Sequence, residues 1–136
     1  MNIDNLPTIY TDGSCLQNPN GPGGWAFTVI EDGRQWSMSG NNPSTTNNRM
    51  ELQSIIEALL FVQGSEYIIY TDSELTMKCA NGTYNRKSNK DLWLEYEIAL
   101  AGRTIHWCWV KSHNGNKHNE YVDFLAREEA KKVKIK

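Results

Sequence analysis

LQSIIEALLFVQGSEYIIYTDS, residues 52–73, changes its hydrophobic period partway along. Leu52, Ile55, Ile56, Leu59 and Val62 fall at i, i+3, i+4, i+7 and i+10, the stripe of an amphipathic helix of about four turns that stops before Gly64. EYIIYTDS then reads as a short, nearly continuous apolar strand of the kind buried on both faces. A helix between two strands usually returns them in parallel through a right-handed crossover. The stretch therefore predicts an α/β fold, a mixed sheet covered by helices, with chemistry at the strand ends.

Upstream, Pro19, Gly21, Pro22, Gly23 and Gly24 break the chain after a first apolar stretch, and GGWAFTVIEDG alternates as a strand. Asp32 and Gly33 turn it into RQWSMSG, so residues 7–40 read as an antiparallel meander. Downstream, a helix is predicted over Glu74 to Ala80, a polar loop over NGTYNRKSNK (81–90) and a helix over DLWLEYEIALAG, ending at Gly102. TIHWCWV forms a last strand. HNEYVDFLAREEAKK forms a last helix with Val122, Leu125 and Ala126 on its buried side.

The 136 residues suit a single domain, 1–136. Apolar residues at 39% and charged residues at 22%, with five Trp, six Tyr and three Phe, exclude a disordered chain. No apolar run approaches a membrane span, and MNIDNLPTIY lacks the basic start and apolar stretch of a secretion signal. Cys15, Cys79 and Cys108 form neither an even framework nor a CxxC pair. The expectation is a cytoplasmic protein without disulfides or membrane contact. The net charge of −2 hides an asymmetry: residues 1–83 carry −6 and residues 84–136 carry +4. Arg86, Lys87 and Lys90, then Lys131, Lys132, Lys134 and Lys136, suit a polyanion.

Four acids stand in unusual places, each with an ordinary explanation. Asp12 closes the first strand in TDGS, where Asp followed by Gly also makes a turn. Glu51 follows Asn48 by three residues and suits a capping box. Asp72, between strand and helix, suits an N-cap, and Asp123 suits a solvated neighbour of the last helix's buried stripe. If the first and fourth strands are parallel neighbours, Asp12 and Asp72 end side by side. Topology alone does not place Glu51 with them, because a crossover brings the start of its helix from the far side.

TDGSC (11–15), NPNGPGG (18–24), TTNNRMEL (45–52), YTDS (70–73), DLW (91–93) and WVKSHNGNKHNEYVDFLA (109–126) closely resemble type 1 ribonuclease H, in family order and across almost the whole chain. The resemblance implies a five-stranded mixed sheet of strand order 3-2-1-4-5, the first three strands antiparallel, with helices on both faces. It implies an endoribonuclease that cuts the RNA strand of RNA/DNA hybrids with the help of metal ions, leaving 5′-phosphate and 3′-hydroxyl ends. Asp12, Glu51, Asp72 and Asp123 match the family's catalytic, metal-holding acids, and His113 its mobile catalytic histidine. An all-oxygen set favours hard ions such as Mg²⁺, with Mn²⁺ as a substitute, and disfavours zinc; the resemblance implies two such ions. Converging carboxylates would otherwise repel one another and shift their pKa values upward.

The resemblance assigns minor-groove contacts, which read the 2′-hydroxyl of RNA, to Cys15, Asn18, Asn47 and Asn48, and a DNA-strand phosphate to Thr46 and Asn89. Many family members carry a basic, Trp-containing protrusion where this chain has only NGTYNRKSNK, which places it in the handle-less branch. Trp93 is then expected in the core, and Arg86, Lys87 and Lys90, with the terminal lysines, are expected to supply replacement phosphate contacts. Glu74 stands where the family often has an amide, so it is expected either to contact substrate weakly or to turn toward the metals. A non-catalytic hybrid-binding module and a transposase or resolvase core are the competing readings. The first is opposed by the presence of all four acids and the histidine, the second by the NPN and TTNNRMEL motifs. A monomer suffices, and no protein partner is evident.

Overall fold

The computed structural model describes residues 5–134, with side chains through 133. Its elements are β1 (Thr8–Cys15), β2 (Gly21–Glu31), β3 (Arg34–Thr45), α1 (Asn47–Phe61), β4 (Glu66–Thr71), α2 (Glu74–Ala80), α3 (Lys90–Leu100), β5 (Thr104–Trp109) and α4 (Lys117–Lys134). The five strands form one sheet of order β3-β2-β1-β4-β5. The β1–β2 and β2–β3 pairs are antiparallel, whereas β1–β4 and β4–β5 are parallel. Both the mixed sheet and its strand order are as the motifs imply.

Alternation along β1 and β2 divides the core between the two faces. Ile9, Phe27 and Val29 pack against α1 and α3, with Leu52, Ile55, Leu59, Leu92, Trp93 and Tyr96 in the same cluster. Ala26 and the partly buried Tyr10 face α4, meeting Val122, Leu125 and Ala126. The small side of this second cluster lets α4 lie close. At Gly24, any Cβ would collide with the Ala126 carbonyl and crowd Glu129. Glu129, almost wholly buried, then ties α4 to β3 by accepting from Ser39 Oγ at 2.6 Å and Asn41 Nδ2 at 2.8 Å.

Several elements differ from expectation. The third strand runs on to Thr45 rather than ending at Gly40, because Asn41, Asn42 and Thr45 continue to pair with Gly24, Gly23 and Gly21 across a bulge. From Asn41 to Ser44 it is polar and exposed, so no period marks it. The N-cap of α1 is Thr46, whose hydroxyl accepts from Arg49 N at 3.2 Å, so Asn48 and Glu51 form no capping box. The N-cap of α2 is Ser73, not Asp72.

The 81–89 loop holds the largest departure. Arg86 is not turned outward for phosphates. It donates to Cys79 O (3.0 Å), Ala80 O (3.2 Å) and Glu97 Oε2 (2.9 Å), with its guanidinium 4.3 Å from the centre of the Trp93 ring. The end of α2 offers carbonyls and Trp93 a flat apolar face, and a planar five-donor cation satisfies both. Trp93 is 8% exposed, in the core as expected. Lys87 and Lys90 remain exposed, as do Lys131 and Lys132, which pair with Glu128 and Glu129. Lys136 and the side chain of Lys134 lie outside the described residues.

Candidate active site

The parallel pairing of β1 with β4 joins Thr8 to Ile68, Ile9 to Ile69 and Tyr10 to Tyr70. Carried two residues onward, the same register sets Asp12 beside Asp72. Asp12 does not end its strand: β1 continues to Cys15 along β2, so the Asp12–Gly13 pair is extended chain and not a turn. Asp72 lies just past β4 and is released from capping by Ser73.

Glu51 reaches these two through Gly13. A Cβ at Gly13 would overlap the backbone of Met50 and Glu51, so the bare α-carbon allows the first turn of α1 to rest directly on β1. The result is a triple of carboxylates, Asp12, Glu51 and Asp72, with one oxygen of each lying within 4.8 Å of the others. Asp12 and Glu51 are buried, and Asp72 is half-buried.

Burial and mutual repulsion decide the electrostatics. Desolvation, with added repulsion from Asp72 and Asp123, pushes the Asp12 pKa up to about 8, against the lowering effect of its contact with Glu51 and of the Gly13 amide. Glu51 is raised well above the ordinary range, first by burial and then by Asp12. The Gly13 N–H donates to Asp12 Oδ1 at 2.9 Å. Glu51 Oε2 is buried without any hydrogen-bond partner. Among the described residues, no Lys, Arg or His forms an ion pair with any of the three acids. A desolvated all-oxygen set with an orphaned carboxylate oxygen and no protein cation fits a hard divalent ion.

Asp123 stands beside this triple rather than within it. Its Oδ2 lies 3.1 Å from Arg127 Nη2 and 3.9 Å from His113 Nδ1, and its charge is felt at Asp12. It is half-buried, not a solvated neighbour of the helix stripe. His113 is exposed, in a loop where its own φ is +54°, and Asp123 is the acid it approaches. Glu74 does not turn to the acids but pairs with Lys78 at 3.5 Å.

The remaining candidates border the start of α1. Cys15 turns its thiol inward to the carbonyls of Gly21 and Thr45, at 3.5 and 3.4 Å. Asn18 Oδ1 accepts from Asn47 N at 3.1 Å, which fastens the loop after β1 to the helix start. Thr46 caps that helix, while Asn47 and Asn48 are exposed. Asn48 lines a cavity of about 160 Å³ together with Lys87, Ser88 and Asn89. Asn89 takes a left-handed conformation, and its side chain accepts from Arg49 Nη1 at 3.2 Å, not from its helix. Arg49, not singled out from sequence, also forms a two-pronged pair with Asp91 at 2.9 and 2.7 Å. A cation in the first turn of a helix opposes the helix dipole. That misfit was the available signal that Arg49 has a partner elsewhere.

A sequence model of the RNase H family matches residues 4–131. Ribonuclease H of Neorickettsia sennetsu is 41% identical over 138 residues, covering 90% of this chain and 91% of that protein. Ribonuclease H of Campylobacter jejuni is 43% identical over 134 residues, covering 92% and 91%. Among solved structures, LC9-RNase H1, described as a type 1 RNase H with the type 2 active-site motif, superimposes with a TM-score of 0.77 at 32% identity, covering 94% of this chain and 73% of that one.

Proposed function

The chain belongs to the RNase H family, and from that premise we propose that it is an endoribonuclease that hydrolyses the RNA strand of RNA/DNA hybrids, leaving 5′-phosphate and 3′-hydroxyl ends. The observation that carries the reading is the convergence of Asp12, Glu51 and Asp72, with the unpartnered Glu51 Oε2 among them. These three, with Asp123 at the margin, would hold two Mg²⁺ ions, for which Mn²⁺ could substitute. When bound, such ions supply an activated water and stabilise the leaving oxygen.

The chain's own groups do the rest. Glu51 is fixed by the contact of α1 with Gly13 and offers an oxygen for which no protein donor competes. His113, exposed and next to Asp123, carries an imidazole that could pass a proton or assist product departure. Asn18, Asn47 and Asn48, with Cys15 shaping the loop beneath them, present amides that both donate and accept, as reading a 2′-hydroxyl requires. Thr46 and Asn89 would hold a phosphate of the DNA strand, with exposed Lys87 beside Asn89 in place of a protrusion. Backbone contacts of this kind confer little sequence preference. No helix among the described residues is long and apolar enough to cross a membrane. We place the protein in the cytoplasm as a monomer of one domain.

The test is incubation with Mg²⁺ and labelled RNA/DNA hybrid, duplex DNA or single-stranded RNA, with Asp72→Asn as control. Cleavage confined to RNA within the hybrid, and lost in D72N, supports the reading. Binding without cleavage makes the protein a hybrid-binding module, and cutting of duplex DNA makes it another nuclease of the same fold.

A further inference from the structure

Trp109 is 47% exposed, yet its indole Nε1 donates to the main-chain carbonyl of Asp72 at 3.1 Å. Trp109 ends β5 and pairs with Thr71, the last residue of β4, and Val110 N to Thr71 O at 2.9 Å is the bond that closes this pairing. One residue on, the Asp72 carbonyl has passed the end of the ladder, and the indole from the neighbouring strand takes the place of the missing amide. The N–H of the same peptide unit, that of Ser73, donates to Thr71 Oγ1 at 3.1 Å, and Thr71 is fully buried. The peptide joining Asp72 to Ser73 is therefore clamped at both polar ends, which fixes the backbone from which the Asp72 carboxylate projects.

We propose that Trp109 is a positioning residue: its N–H, acting on this peptide, aims Asp72 at Asp12 and Glu51. The inference rests on the reading of those acids as a cation site and adds the group that orients one of them. An outer partner of this kind tunes ion affinity without touching the ion. The ring is half in solvent and half packed, and the N–H is the asset that an apolar ring in its place would lack. The rival role for such a ring is a stacking surface for substrate, and Phe separates the two because it keeps the ring and loses the N–H.

The experiment measures free Mn²⁺ by electron paramagnetic resonance, without nucleic acid, in wild type, Trp109→Phe, Trp109→Ala and Asp72→Asn, alongside melting curves and hybrid KM. W109F and W109A should each bind Mn²⁺ about fivefold more weakly, as expected for one lost hydrogen bond behind a ligand. The melting temperature of W109F should fall by no more than about 5 °C, the worth of one hydrogen bond, and its KM should stay at the wild-type value. Wild-type Mn²⁺ affinity in W109F overturns the proposal, including the case where W109A alone raises KM, which makes the ring a substrate contact. If wild type itself binds no better than D72N, it is the reading of the acids that fails. A second measurement needs no variant: in ¹⁵N-labelled wild type, the Trp109 indole resonance should shift with added Mg²⁺ while that of Trp36 stays still. An unmoved Trp109 resonance also overturns the proposal.

Discussion

Replacing Asp12 by Asn in the metal-free protein asks whether the acid cluster is an electrostatic load awaiting a cation. Asp12 is 3% exposed, and its pKa is pushed up to about 8 from 3.8, by burial first and then by the charges of Asp72 and Asp123. A carboxyl whose folded pKa exceeds its unfolded value binds its proton more tightly when folded. Stability therefore falls as pH rises from about 4 to about 8, and the loss is complete above that window. Four pKa units at about 1.4 kcal/mol each set a ceiling of roughly 5 to 6 kcal/mol. Water entering beside half-exposed Asp72 reduces this, and the expected penalty is about 2 to 3 kcal/mol near pH 8.5. Asn keeps an acceptor for the Gly13 amide but carries no charge. In EDTA, urea unfolding should find D12N more stable than wild type by that amount near pH 8.5, with the gap shrinking below about 1 kcal/mol near pH 4.5. Added Mg²⁺ should stabilise wild type far more than D12N, closing the gap by about 2.7 kcal/mol at a hundredfold excess over its Kd. A D12N protein no more stable than wild type in EDTA near pH 8.5 would refute the reasoning.

Gly13→Ala forces α1 away from β1, and should cost about 3 kcal/mol in urea unfolding and on the order of a hundredfold in hybrid cleavage, because Glu51 is displaced. Glu129→Ala strands Ser39 and Asn41, and should lower stability by about 2 to 3 kcal/mol while leaving the activity of the folded fraction intact. Burial pushes the Glu129 carboxyl up, but Ser39, Asn41 and Lys132 together hold it below its usual 4.5, so its stabilisation should be present above that pH and fade as pH falls below it, as acid titration of unfolding will read. Lys87→Glu and Lys90→Glu should each flatten the salt dependence of hybrid binding by about one unit of slope. Arg86→Ala should leave that slope unchanged and instead destabilise the fold by about 2 kcal/mol, measured in the same titrations.

Much of the architecture was legible because hydrophobic period is a local property. The stripe from Leu52 to Val62 folds as its spacing demands, and the run at Tyr67 to Tyr70 does form a strand, but its burial alternates: Tyr67, Ile69 and Thr71 are buried while Ile68 and Tyr70 are only partly covered, so it is not sealed on both faces. The second half of β3 was not, because Asn41, Asn42 and Thr45 pair with glycines of β2 across a bulge and show no alternation of polar and apolar residues. At the site, each acid had an ordinary explanation that only distant residues could remove. Thr46 and Ser73 take the capping work from Asn48 and Asp72, and Gly13 brings Glu51 across a gap that the order of elements does not specify. Motif resemblance named the acids, but the contact that gathers three of them depends on an absent Cβ. Arg86 misled for a similar reason. A loop arginine among lysines suggests a phosphate contact, whereas α2's last carbonyls, Glu97 and the face of Trp93 claim it from three sides.

The Arg86 anchor also marks where new sequence could be spliced in. Between the end of α2 and that anchor, Gly82 has a φ of +86° and open space around it, and Thr83 and Tyr84 are exposed. A binding hairpin or tag grafted at Gly82 would leave the Arg86 guanidinium over Trp93 undisturbed, and lengthening a closed loop adds only about 0.6 kcal/mol per doubling. One grafted beyond residue 86 would instead pull on Asn89 and, through Arg49, on the first turn of the helix that carries Glu51.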